Sequence, residues 1–355
     1  MTLASTATNA ASSNGGKITL TADNLNINQG VNAGTGNVRI HPVTAGQLIS
    51  LGTATGGLNL TNAELGEITA NTLVIGNASA GSVLAAGTIA PSVGTNLTIN
   101  TGGNFSANNG TAIQVGPGVL TIGFGENVVG DTADLRGATL TASAINVIGG
   151  TGDDTIFSGG PGETFTGGGG SDTFKGTSTN LNGDSITDLS SGDKIVINDG
   201  NLAHFAFQQN GTTLSFDPDT SVSQTFRTLT LSNAPLGHFI VSAHPVSGVD
   251  LTYYEPPPSD FTGNGFSDLL WQYSDGTPAI WEMNGTNVIG GAALSNPGSA
   301  WHLIGIGDFN GDGKSDLLWQ SSDGTPAIWE MHGTSVIGGA TLSDPGSAWH
   351  LIHGL

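Results

Sequence analysis

The sequence predicts an all-β protein assembled from stacked repeats, and three observations point there. The chain holds 57 Gly and 14 Pro among 355 residues, which favours frequent turns over long helices. Short runs with apolar residues at every second position recur from Lys17 onward through the first part of the chain, a period of two that belongs to strands. A direct repeat, in which Asp260-Phe261 returns as Asp308-Phe309, then fills the C-terminal part. Charged residues make up only 10% of the chain, well below the roughly 25% of an average globular sequence, so charge-driven disorder is excluded and the chain is expected to fold.

Composition removes several functional classes. There are 28 Asp and Glu against 7 Lys and Arg, a net charge of -21, and no block of bases. Phosphate backbones and anionic lipid surfaces need local positive charge, so nucleic acid is excluded as a partner. The absence of Cys removes disulfide scaffolds, thiolate zinc sites and Cys nucleophiles together. No stretch approaches the ~18 consecutive apolar residues of a membrane span. The opening stretch from Met1 to Lys17 has neither a basic start nor an apolar run long enough for a cleaved signal peptide. The chain is therefore expected to be soluble, and to stay in the cytosol, to leave by a route without an N-terminal signal, or to begin as a truncation.

Charge is unevenly placed. Residues 1–145 hold 6 acids and 3 bases, 146–258 hold 12 and 3, and 259–355 hold 10 and 1. All six Trp (271, 281, 301, 319, 329 and 349) lie in the last stretch, behind the stiff Glu255-Pro256-Pro257-Pro258 linker. The expected organisation is a flexible leader (1–16), a β-solenoid or β-helix (17–145), a parallel β-roll with a β-sandwich cap (146–254), the linker (255–258) and a pair of propeller-blade-like repeats (259–355).

In the first part, Lys17-Ile18-Thr19-Leu20-Thr21, Asn37-Val38-Arg39-Ile40, Leu58-Asn59-Leu60-Thr61, Leu73-Val74-Ile75 and Leu97-Thr98-Ile99-Asn100 alternate apolar and polar residues between Gly, Asn, Ser and Ala clusters. Coils stacked in parallel, each burying its face on the next, suit this pattern. The segment resembles the haemagglutinin-like β-helical repeats of bacterial surface adhesins. An alternative, a β-helical polysaccharide-cleaving enzyme, would need clustered charge, and the candidates are Arg39 with His41 on one strand face and the acids Glu126, Asp131 and Asp134 near Arg136.

The second part carries nonapeptides of the form G-G-x-G-x-D-x-U-x, where U is a large apolar residue. Gly149-Gly150-Thr151-Gly152-Asp153-Asp154-Thr155-Ile156-Phe157 fits, and residues 158–166 and 167–175 follow in register. The sixth position reads Asp154, Glu163, Asp172, and the eighth reads Ile156, Phe165, Phe174. Glycines allow the tight turn that gathers backbone carbonyls, and carboxylates supply the oxygens that a hard cation prefers. These repeats resemble the calcium-binding β-roll of hemolysin-type (RTX) secreted proteins. The resemblance implies ions between repeats i and i+2, hence one complete site on Asp154 and Asp172, with Asp153 and Glu163 as further candidate ligands of partial sites. The middle repeat departs from the pattern, with shifted glycines and Pro161. Turns and strands follow around Gly183-Asp184-Ser185-Ile186 and Gly192-Asp193-Lys194-Ile195, then run through Arg227-Thr228-Leu229-Thr230-Leu231 and His238-Phe239-Ile240-Val241 to Tyr254.

In the third part Asp260-Phe261 returns as Asp308-Phe309, Leu269-Leu270-Trp271 as Leu317-Leu318-Trp319, Trp281 as Trp329, and Trp301-His302-Leu303-Ile304 as Trp349-His350-Leu351-Ile352. Hairpin turns are expected at Asp275-Gly276, Asn284-Gly285 and His332-Gly333, which gives four strands per unit. The unit resembles the FG-GAP or VCBS repeats of bacterial surface proteins. Its second copy opens on a D-x-N-x-D-G-x-x-D loop, in which Asp308, Asn310, Asp312, the Lys314 carbonyl and Asp316 form a candidate calcium shell. The first copy keeps Asp260, Asn264 and Asp268 but loses one carboxylate, so weaker binding is expected there. The repeated Trp positions suit packing between sheets, with a sugar-stacking platform as the alternative. Two blades do not close a propeller, so the open module calls for another chain, docking on the earlier sheets, or marginal stability.

The sequence shows no H-E-x-x-H, G-x-S-x-G or G-x-x-x-x-G-K motif. The reading is a non-enzymatic, calcium-binding modular protein of adhesin or scaffold type, outside the cell or on its surface. Its partners would be a matrix protein or glycan, or further copies through the open blade edges. The hemolysin-like resemblance implies export with an uncleaved C-terminal signal. The rivals are the accessory region of a secreted hydrolase or protease, and a carbohydrate-binding module.

Overall fold

The computed structural model describes residues 2–3, 9–92, 94–125, 130–222, 225–232, 238–254 and 258–344. It is all-β, with 48% strand and 2% helix. The chain divides into two compact units, Met1–Pro235 with Ile240–Tyr253, and Leu236–Phe239 with Tyr254–Leu355.

The first unit is a β-solenoid. One sheet of eleven strands runs through Ile18–Thr21, Asn37–His41, Thr72–Gly76, Asn96–Thr101, Val119–Phe124, Ala144–Ile148, Thr164–Thr166 and Ser185–Ile186, all parallel. A second sheet of ten strands runs through Ile49–Gly52, Val83–Ala86, Phe105–Ala107, Thr132–Asp134, Thr155–Phe157, Thr173–Gly176 and Lys194–Ile197. Period-two alternation sends every second residue inward, and the parallel register stacks like on like. Ile40, Ile75, Ile99, Ile122, Val147, Phe165 and Ile186 form one such ladder, each paired with the next and all fully buried. Across the coil, the rings of Phe165 and Phe174 stack with centroids 6.1 Å apart.

Coil length changes along the stack. In the early coils Leu73 pairs with Leu97 and Leu97 with Leu120. In the roll Ile156 pairs with Phe174 and Val147 with Phe165, a shorter step that equals two nonapeptides. The longer coils carry a third face, where Thr88–Ile89, Thr111–Gln114 and Ala138–Thr141 pair. Two nonapeptides leave no residues for that face, so the coil flattens to two sheets. Both sheets run past residue 145 without a break. The expected boundary between solenoid and roll is a change of coil, not a division between domains.

The stack ends by switching direction. Val249–Tyr254 pairs antiparallel with Lys194–Ile197, while on the other sheet Arg227–Leu231 joins Ser185–Ile186 in parallel and is followed by Thr213–Asp217 and Ala206–Asn210 in antiparallel order. At the opposite end, residues 1–16 are not a bare leader. Thr2–Leu3 pairs with Asn26–Ile27, and Asn9–Ser12 with Gly30–Asn32. The helix Asn62–Gly66 interrupts the strands, and Thr61 and Glu64 form a capping box at its start.

The second unit holds the repeats. The first copy forms a three-stranded antiparallel sheet of Leu269–Gln272, Pro278–Asn284 and Asn287–Ala293. The second forms a four-stranded sheet of Trp301–Gly307, Asp316–Ser321, Pro326–His332 and Ser335–Thr341. The first copy's 48 residues do form four strands, but the last of them, Trp301–Gly307, joins the sheet of the second copy and opens that blade. Its sequence equivalent, 349–352, lies outside the described residues, as does linker segment 255–257. Phe261, Ile280 and Leu294 of the first blade pack with Leu317, Trp319, Ala327 and Met331 of the second in one buried cluster.

Tight stacking sets a steric rule at the coil corners. Gly76 has φ +83°, and a Cβ there would lie 2.0 Å from the Asn100 carbonyl oxygen of the next coil. Gly46 has a similar φ of +73° with nothing within 4 Å. Denaturant unfolding should show Gly46→Ala costing about 1 kcal/mol for the left-handed backbone alone, and Gly76→Ala costing about 3 kcal/mol or more through added overpacking.

Candidate metal centres in the roll and the blade loops

In the roll the acids form a column inside the stack. Asp154 Oδ1 accepts the amide of Asp131 at 2.6 Å, Asp172 Oδ1 that of Asp154 at 2.8 Å, and Asp193 Oδ1 that of Asp172 at 2.8 Å. On the other edge Asp184 Oδ1 accepts the amide of Glu163 at 2.8 Å. Each carboxylate thus ties its coil to the one before. Asp154, Asp172, Asp184, Asp193 and Glu163 are all buried. The sequence reading pairs Asp154 with Asp172, and these are neighbours in the column. It misses Asp184 and Asp193 as members, although both open the same acid-x-apolar step as Asp154-Thr155-Ile156.

Burial opposes the charged form of these groups. It pushes Asp172 and Glu163 up to about 7 and Asp184 up to about 8, with neighbouring carboxylates adding to the shift of Asp172 and Asp184. Asp154 and Asp193 are raised for the same reason. Two oxygens, Asp172 Oδ2 and Glu163 Oε1, are buried with no hydrogen-bond partner. Asp153 stands apart: its Oδ1 accepts the Ser171 amide at 2.8 Å on the exposed side of the turn.

The glycines leave oxygen-lined space beside the column. A Cβ on Gly149 would lie 2.0 Å from the Gly167 carbonyl oxygen and 2.5 Å from Asp154 Oδ2, and one on Gly167 would lie 2.2 Å from Asp172 Oδ2. The Asp154 and Asp172 carboxylates, the latter with its unpartnered Oδ2, and the Gly167 carbonyl are donors suited to a hard cation. The residues present therefore fit calcium on Asp154 and Asp172. Among the described residues no group of three or more His, Asp or Glu side chains converges as a metal cluster, so backbone carbonyls would have to complete the shell.

The blade loops are closed by their own amides. Asp308 Oδ1 accepts from Gly311 N at 2.7 Å and Asp312 N at 3.1 Å, and its Oδ2 from Gly313 N at 2.9 Å. Asn310 accepts from the Asp312 amide and Asp312 from that of Lys314. Asp316 reaches out of the loop, with Oδ2 accepting from Phe309 N and Oδ1 from Met331 N at 2.8 Å. The first copy repeats this arrangement: Asp260 accepts from Gly263, Asn264 and Gly265, and Asp268 from Phe261 and Met283. Burial raises both Asp268 and Asp316. The turn therefore forms alike with or without the carboxylate that Asn264 replaces. Asp308 Oδ1 already accepts two amides, but Asp308 Oδ2, Asn310 Oδ1 and Asp312 Oδ1 each accept one, so the second loop retains lone pairs for a cation.

Described residues weighed for catalysis have structural partners. His41 is held by Thr21, Asn77 and the Pro42 carbonyl, and Asp134 forms a 2.7 Å ion pair with Arg136. The amide of Asp131 belongs to the acid column, and Glu126 lies outside the described residues.

A carboxyl raised in the fold holds its proton where the unfolded chain has lost it, so stability falls as pH rises between the two values. In chelator the melting temperature should fall from pH 5 to pH 8, and Asp172→Asn should flatten that slope. Asp316→Ala, which strands two amides, should cost about 2 kcal/mol in urea unfolding, against a small change for Asp312→Ala.

Residues 260–319 match the family model of the FG-GAP-like repeat, a span that takes in the whole first copy and the 308–316 loop. No curated protein and no solved structure matches the chain. Among the described residues no helix is long and apolar enough to cross a membrane. By family, this C-terminal module is similar to FG-GAP-like repeats.

Proposed function

We propose that this protein is a non-catalytic, calcium-binding scaffold of adhesin type, working outside the cell or on its surface, whose roll is tightened by calcium. One observation carries the reading: buried carboxylate oxygens of Asp172 and Glu163 lack partners beside a glycine-lined, oxygen-rich space. Unpaired buried charge is costly, and an oxygen-seeking cation relieves it. The FG-GAP-like repeat supports a repeat module of adhesion type.

Asp154 and Asp172 already fasten consecutive coils by accepting backbone amides from the coil before. With both ionised, their second oxygens would repel across the coil step. Calcium, when bound, supplies the charge that offsets this repulsion. Extracellular modules bind calcium in roughly the 10⁻⁴ to 10⁻³ M range, so such a scaffold stays loose in the cytosol and orders after export. Export without a cleaved N-terminal signal, and a matrix protein or glycan as partner, belong to the same proposal.

The test is thermal melting and calcium titration calorimetry of the full chain, in chelator and in millimolar calcium at pH 7.5. Calcium at about 100 times its dissociation constant should stabilise the fold by about 2.7 kcal/mol, a gain that Asp154→Ala with Asp172→Ala removes. Superimposable curves in chelator and calcium, with no heat of binding, would overturn the calcium reading.

A further inference from the structure

The two blades are near-identical in sequence but unequal in surroundings. Leu317 and Trp319 of the second blade are 0% and 1% exposed, covered by the first blade, while their equivalents in the earlier copy, Leu269 and Trp271, are 43% and 48% exposed. The inequality reverses on the opposite face. Phe261 and Leu294 of the first blade are 0% and 8% exposed within the joint, and their equivalents Phe309 and Leu342 are 45% and 43% exposed. One face of each blade is used inside the chain. The matching face of the other blade is left open.

These open faces are the two halves of the same joint. The used joint places Ile280, Phe261 and Leu294 against Leu317, Trp319 and Ala327. It also carries two backbone hydrogen bonds, Ser315 N to the Asp260 carbonyl at 2.7 Å and Gly333 N to the Phe261 carbonyl at 2.7 Å. Every element of it recurs: Ile328, Phe309 and Leu342 on one side, Leu269, Trp271 and Ala279 on the other, with Ser267 and Gly285 as the amide donors. The tilted pair Trp271–Trp281, 5.0 Å between centroids, has the geometry of Trp319–Trp329, also 5.0 Å. The half-joint is therefore preformed. Among the described residues, the first blade has no counterpart of the outer strand that Trp301–Gly307 supplies to the second.

We propose that the exposed face of the first blade (Leu269, Trp271, Trp281) is a docking surface for the second blade of another copy of this chain, presented through Phe309, Ile328 and Leu342. The contact is head to tail, so each copy has one free half at either end. Propellers close with about four to eight blades, which corresponds to about two to four copies in a ring. The contact is independent of the calcium proposal, since the same joint inside the chain is built from apolar packing and backbone bonds.

Sedimentation velocity of the full chain over micromolar to submillimolar concentrations tests it. The expected result is a concentration-dependent oligomer that Trp271→Lys and Leu342→Lys each weaken by about 30-fold or more, the loss typical of a hot spot. Both positions are exposed in the single chain, and unchanged circular dichroism and melting check that the variants fold. Each variant keeps one intact half, so mixing the two should give a heterodimer that grows no further. A chain that stays monomeric at every concentration, an oligomer indifferent to both substitutions, or a mixture that remains monomeric would overturn the proposal. Saturable quenching of Trp fluorescence by a glycan in a monomeric chain would assign the face to carbohydrate instead.

Discussion

In-register parallel stacking is the constraint on which the first unit rests. The strands of one coil do not pair with each other, so outside the turns their amides must find acceptors on the neighbouring coil, at the strand spacing of ~4.8 Å. That demand fixes the rest. The Ile40 to Ile186 ladder exists because equal register places equal positions above one another. Gly52, Gly76 and Gly168 occupy corners where a neighbouring coil's carbonyl lies within about 2 Å of a Cβ position. Where the strand ladder lapses at a turn, side chains take over as acceptors, as Asn104 does for the Thr132 amide and Asn96 for that of Val119.

The acids of the roll are the charged version of the same device. Asp154, Asp172 and Asp193 accept amides that would otherwise be stranded between coils, so they are needed for the fold whatever they bind. This use places like charges in a column with little water between them, and the raised Asp172, Glu163 and Asp184 follow from that placement. Protonation and cation binding are two ways of relieving one electrostatic strain. A surface acid has neither problem: Asp23, bonded to Val43 and Thr44 in the open, is lowered by its hydrogen bonds with Thr44.

Much of this is legible because a repeat states its own geometry. Nonapeptides paired in twos dictate a short, flattened coil, and Ile156 does stack on Phe174. The members missed, Asp184 and Asp193, lie farther beyond Glu163 and Asp172 than two nonapeptides reach, because a longer turn breaks the spacing while the coil continues. Period alone does not reveal them, whereas the acid-x-apolar step at Asp184-Ser185-Ile186 does. The capping box at Thr61 and Glu64 is equally readable, but a single helical turn leaves no apolar periodicity. The leader misleads for another reason: its short strands gain their partners only from Asn26–Ile27 and Gly30–Asn32, contacts that no local pattern announces.

The blades show where sequence repeats stop being informative in principle. The repeat period fixes what each unit contains but not its phase, so nothing in the period says whether Trp301–Gly307 closes one sheet or opens the next. The answer comes from packing: Trp301 and Leu303 lie beside Trp319 and Leu317 in the buried cluster, and a strand cut from them would expose that core. Identical residues then acquire different fates by position alone. Trp319 is a core residue because a blade precedes it, and Trp271 is a surface residue because, among the described residues, none does. A stranded Trp pair on an otherwise acidic, polar module costs solubility without return, and the preserved Leu269, Trp271 and Trp281 side chains are the physical ground for assigning that face a partner built like the blade beside it.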